Sequence, residues 1–104
     1  MTTTPDTIEQ TQTDTKIAVK RPSQYLVIFH NDDYTPFAFV EEVLVKIFNK
    51  TRAQAEEIAM KVHQEQKAIV AIYPKEIALT KKHLVDTNAQ RLGFPLNCEV
   101  QPEE

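Results

Sequence analysis

Glycine is nearly missing from this sequence. A single one, Gly93, occurs in 104 residues, so the glycine-rich turns that cradle phosphates in P-loop and dinucleotide-binding folds cannot be built, and nucleotide-handling enzymes drop out. Cysteine is equally scarce: Cys98 stands alone and has no partner for an internal disulfide. No basic cluster is longer than Lys81-Lys82 and the formal net charge is −3. A phosphate backbone is therefore excluded as the main partner, and no nucleic acid is expected. The sequence also lacks a basic start followed by an apolar run, and any span of about 18 apolar residues. The chain reads as soluble and cytoplasmic, with no membrane partner.

What is present suffices for one modest core, since 41% of the residues are apolar. That content is unevenly spread. From Met1 to Thr15 threonine, glutamine and aspartate dominate, too little apolar surface to offset roughly 1–2 kcal/mol per residue of backbone ordering. Ile17 and Val19 alternate just beyond, but Pro22 follows, which suits an extended connector better than a central strand. Residues 1–22 are expected to form a flexible, disordered extension, and residues 23–104 the folded domain.

Within that domain Tyr25-Leu26-Val27-Ile28-Phe29 has the aromatic and β-branched bulk of a buried strand running to His30. Asn31-Asp32-Asp33 ends it in a polar turn. Thr35 and Pro36 then predict a helix start, with the threonine as cap and the proline at the first helical position. Val40, Val43, Leu44, Ile47 and Phe48 fall on one face of a helix ending near Asn49. Thr51 and Gln54 have the spacing of a capping box, and Ala55, Ile58, Ala59 and Val62 form the apolar side of the helix that follows. The apolar run from Ala68 to Tyr73 reads as a strand closed by Pro74. A third helix over Lys75 to Leu92 is expected to turn Ile77, Ala78, Leu84, Val85, Ala89 and Leu92 inward and to stop at Gly93. A last strand fits Pro95 to Val100. The sum is an α+β fold in the order β-α-α-β-α-β, a three-stranded antiparallel sheet covered on one side by three helices.

The features that bear chemistry are few, and each has an ordinary structural explanation. Aspartates ahead of a helix form turns and complement its positive end. A lone histidine near a helix terminus, such as His63, is commonly a dipole partner or the edge of a core. Lys81, Lys82 and His83 in mid-helix read as a solvated face. His30, Asp32, Asp33 and His63 are metal-ligating types, yet no HExxH or paired-histidine spacing appears, so no metal site is expected. Cys98 and the serine have no nucleophile context. A small metal-assisted hydrolase using His63 and Asp32 remains the alternative from another functional class.

A wider pattern joins these residues. Asn31-Asp32-Asp33-Tyr34-Thr35-Pro36, Phe39-Val40, Val43-Leu44, Val62-His63, Lys67-Ala68, Glu76, Thr80-Lys81 and Pro95-Leu96 before Cys98 resemble the signature of the ClpS adaptors of the bacterial Clp protease. The resemblance runs from Tyr25 to Cys98. It implies a non-enzymatic, monomeric adaptor without cofactor, which binds N-degron substrates beginning with leucine, phenylalanine, tyrosine or tryptophan and delivers them to the ClpA unfoldase of ClpAP. By the same resemblance Asn31, Asp32 and His63 would hold the substrate's α-amino group. Asp33, Thr35, Phe37, Val40, Ala59, Val62 and Leu96 would line the side-chain pocket, and Glu76 and Lys81 would dock on the unfoldase's N-terminal domain. An ammonium needs acceptors held in fixed directions. His63 can accept only through an unprotonated nitrogen, so capture should weaken as pH falls through the histidine range.

Three positions depart from the family pattern. Methionine is usual where this chain has Phe37 and again where it has Ala59, and glycine is usual at Gln66. Phenylalanine is larger and stiffer than methionine, while alanine removes about three heavy atoms of wall. Met60 is expected not to compensate, because one helical step turns its side chain about 100° away. At Gln66 only the ending of the second helix should change. In a peptide series differing only in the first residue, tryptophan and phenylalanine ends should bind more tightly than leucine; the reverse ranking by calorimetry would refute this reading of the pocket.

Overall fold

The computed structural model describes residues 23–103; the flexible extension expected over 1–22 lies outside the described residues. The aromatic and β-branched run becomes β1 (Gln24–His30), the central strand of a three-stranded antiparallel sheet. It is flanked by β2 (Lys67–Pro74) and β3 (Asn97–Pro102). Between them come α1 (Phe37–Lys46), α2 (Arg52–Glu65) and α3 (Lys75–Leu92), giving the expected order β-α-α-β-α-β. Strand periodicity divides β1 cleanly. Val27 and Phe29 are fully buried under the helices, while Leu26, Ile28 and His30 alternate onto the opposite face. There His30 Nε2 pairs with Glu99 Oε1 at 2.7 Å.

One irregularity is invisible in the apolar run of β2. Val27 pairs with Ala71 but Ile28 pairs with Ile69, so Val70 is the extra residue of a β-bulge. As a result Val70 and Ala71 both pack inward, and Ile69 and Ile72 are both exposed. An apolar run with no polar residue carries no parity to break, which is why the sequence reads there as an uninterrupted strand.

α2 and α3 pack on the sheet, and α1 packs against α2. The core is tied to the segment after α1 by aromatic contacts. Phe48 meets the edge of Phe29 at 5.7 Å and stacks with Tyr73 at 6.3 Å. Burial of each such ring contributes roughly 1.5–3 kcal/mol. Regular α1 ends at Lys46 rather than near Asn49; the chain then closes through Asn49 at φ 58°, with the Lys50 amide donating to the Leu44 carbonyl at 3.0 Å. Thr35 does not cap α1. Its hydroxyl donates to Asp32, a charged acceptor, and the residue at the helix boundary is Pro36, which supplies no side-chain cap.

α2 begins as expected, with the complete capping box of Thr51 and Gln54 at 3.0 and 3.1 Å. It ends at Gln66 in the left-handed conformation, φ 74°. α3 stops at Gly93, φ 78°. Its buried stripe is narrower than expected: Ala78, Val85 and Ala89 are inside, but Ile77, Leu84 and Leu92 are exposed. Two lysines of α3 instead make contacts with neighbouring elements, one toward the segment after α1 and one toward β3. Lys81 Nζ donates to the Ile47 carbonyl at 2.7 Å and lies 5.8 Å from the centre of the Tyr73 ring. Lys82 Nζ reaches the Cys98 carbonyl at 2.8 Å and Asp86 at 2.9 Å. These two lysines thus join α3 to its neighbours, with stems packed and heads bonded, instead of forming a solvated face. Cys98 is buried, and burial pushes its thiol up to about 12 although the Lys82 charge pulls the other way.

Two substitutions measure the ends of α2. Thr51→Ala should lower stability by about 1 kcal/mol through loss of the cap. Gln66→Gly should raise it by about 0.5–1 kcal/mol, because glycine carries no left-handed penalty but loses more chain entropy. Urea denaturation of both variants checks the opposite signs.

Candidate functional site

β1 and the last turn of α2 are joined where each runs out of regular partners. The Asn31 amide, one residue past β1, donates to the Gln66 carbonyl at 2.8 Å. That bond sets the polar turn beside the end of α2 that carries Val62 and His63. The turn itself is organised by Asp32. Its Oδ1 accepts from the amides of Tyr34 at 2.8 Å and Thr35 at 2.7 Å, and its Oδ2 accepts from the Thr35 hydroxyl at 2.8 Å. Partial burial pushes the Asp32 carboxyl up, but these three bonds together outweigh it and hold it below its ordinary 3.8. The brace is therefore complete above the ordinary carboxylate range and is lost only as pH falls through the lowered value. A carboxylate has about four lone-pair sites, so Asp32 both shapes the turn and keeps its charge and some accepting capacity.

The turn, the first residues of α1 and one side of α2 enclose a cavity of about 500 Å³. It is lined by Asn31, Asp32, Asp33, Thr35, Phe37, Val40, Ala59, Met60, Val62 and His63. All three residues expected at an α-amino group, Asn31, Asp32 and His63, thus line one space. So do Asp33, Thr35, Phe37, Val40, Ala59 and Val62 from the expected side-chain pocket. Leu96 does not: it is buried in the core cluster and absent from the lining. Met60 is the residue that sequence reasoning turned away. Measured around α2, the lining residues Val62, Ala59, His63 and Met60 span an arc of about 160°. The cavity is wider than a single helical stripe, and a long unbranched side chain at its margin reaches in. A test of arc width, rather than of alignment with Ala59, would have admitted Met60.

The lining is electrostatically one-sided. It contains two carboxylates, an amide, a hydroxyl and an imidazole, with no lysine or arginine. Low-dielectric walls of Val40, Ala59 and Val62 concentrate such a field, so a small cation with an apolar appendage fits better than an anion. His30 does not join this group, since it lies on the other face of the sheet with Glu99. Among the described residues no three histidine, cysteine, aspartate or glutamate side chains come together to hold a metal ion. Glu76 and Lys81 lie on α3 away from the cavity; Glu76 is exposed, and Lys81 is half-buried with its ammonium on the Ile47 carbonyl. Among the described residues no helix is long and apolar enough to cross a membrane.

The family model for the ATP-dependent Clp protease adaptor protein ClpS matches residues 20–99. The adapter protein ClpS of Herminiimonas arsenicoxydans is 45% identical over 83 residues, covering 80% of this chain and 81% of the relative. That of Desulfotalea psychrophila is 42% identical over 87 residues, covering 84% and 85%. Among solved structures, Agrobacterium tumefaciens ClpS2 bound to L-phenylalaninamide superposes with a TM-score of 0.77 at 35% identity, covering 80% of this chain and 100% of that one. Matches of this extent, taking in both walls of the cavity, show that the chain belongs to the ClpS family of Clp protease adaptors, and that it is a non-enzymatic adaptor and not a hydrolase.

Proposed function

We propose that this adaptor captures N-degrons, the free amino ends of proteins that begin with leucine, phenylalanine, tyrosine or tryptophan, and delivers them to the ClpA unfoldase of ClpAP. The observation that carries the reading is the composition of the cavity: hydrogen-bond acceptors with no basic residue, together with apolar side chains from two helices. The Agrobacterium relative's ligand, L-phenylalaninamide, has the two features that such a space would recognise, an ammonium and a bulky apolar side chain. In this reading Asn31, Asp32 and His63 bind the ammonium. Asp33, Thr35, Phe37, Val40, Ala59 and Val62 surround the side chain, with Leu96 supporting that wall from the core.

Magnitudes are adequate. Each charge-assisted bond contributes roughly 1.5–3 kcal/mol and burial of a phenylalanine roughly 2–3. Less the cost of association, this supports low-micromolar or tighter capture. Delivery would use the chain's other surfaces. Glu76 and Lys81 dock on the N-terminal domain of ClpA, with the Lys81 charge presented from a fixed position by its bond to the Ile47 carbonyl. Residues 1–22 assist transfer of substrate to the unfoldase instead of binding it.

Titration of one phenylalanine-ended peptide, free and Nα-acetylated, tests capture. Acetylation should abolish binding, and His63→Ala should weaken the free peptide roughly 10- to 100-fold; equal binding of both peptides would overturn the reading. A chain starting near Lys20 should bind the peptide normally but support slower degradation by ClpAP, and undiminished degradation would remove the transfer role of the extension.

A further inference from the structure

The apolar walls of the cavity differ in how firmly they are held. Val40, Ala59 and Val62 belong to the buried core cluster and are fixed from behind. Phe37 and Met60 are 38% and 41% exposed and lie outside that cluster. They come from different helices and differ in kind. Phe37 is a rigid plate at the first position of α1. Met60, in mid-α2, is unbranched, has three rotatable side-chain bonds and carries a polarizable sulfur. Its neighbour Ala59 ends at a methyl group, so the wall beside Met60 is low.

We infer that Met60 is a specificity-determining residue of this cavity, which closes over the side chain of a captured first residue and favours aromatic ends over leucine. The inference rests on the capture reading above and adds to it the residue that sets the preference. Sulfur makes favourable contacts with the edge of an aromatic ring at about 5 Å, beyond ordinary dispersion, and an aliphatic side chain offers no such edge. A flexible thioether also adjusts to rings of different size, which a second rigid side chain beside Phe37 in the lining would not. With alanine at the preceding position, that adjustment is available to Met60 and to no other apolar lining residue of α2, since Ala59 and Val62 are buried.

The test uses the full chain with Met60→Ala and Met60→Leu, titrated with peptides that differ only in a phenylalanine, tryptophan or leucine first residue. An Nα-acetylated phenylalanine peptide serves as control. Met60→Ala should weaken phenylalanine and tryptophan ends roughly two- to tenfold and leucine ends by less than about twofold. Met60→Leu, which keeps the volume and removes the sulfur, should restore leucine binding while leaving aromatic ends weakened. Met60 is no part of the core cluster, so both variants keep the fold; far-UV circular dichroism verifies it. Equal losses for all first residues, or none, would overturn the role of Met60 while discrimination against the acetylated peptide left the capture reading standing. Failure of the unsubstituted chain to discriminate against acetylation would overturn both.

Discussion

The hydrogen bond from the Asn31 amide to the Gln66 carbonyl is the constraint on which the site depends. It fastens the first residue after the central strand to the residue that ends α2, two points far apart in the chain. Everything polar in the cavity hangs from one end of that bond or the other: Asn31 is the donor, Asp32, Asp33 and Thr35 follow it, and His63 precedes the acceptor by less than one helical turn. Because the backbone makes the bond, the pairing does not depend on which side chain stands at either position. It does depend on α2 ending abruptly, and the left-handed Gln66 provides that ending at some cost in backbone strain.

The elements themselves are legible where the signal is local. Thr51 and Gln54 announce the start of α2, and Gly93 the end of α3, because each motif is completed within a few residues of chain. Legibility fails where a competing partner lies elsewhere. Thr35 has the chemistry of a cap, but a carboxylate three residues earlier is a stronger acceptor for its hydroxyl. Lys81 and Lys82 look solvated until the Ile47 and Cys98 carbonyls are brought under them by folding. The bulge at Val70 leaves no trace in a run that is apolar throughout.

The site divides along the same line. Its polar members occupy a compact signature, Asn31 to Thr35, and a histidine at a predictable helix end, so the resemblance locates them without coordinates. Its apolar members are harder, because helical geometry states direction but not reach. Leu96 has the right chemistry but is buried in the core and absent from the lining; Met60 has the wrong angle and a side chain long enough to make the angle immaterial.

Val40, Ala59 and Val62 serve simultaneously as cavity wall and as packed interior. Under the proposed capture, drift at these positions alters thermodynamic robustness together with ligand choice, and selection on the first restrains the second. Phe37 and Met60 carry no such double duty. Under the same proposal, evolutionary retuning toward a different set of clients has a less constrained route through the rim, leaving the interior as an inherited frame.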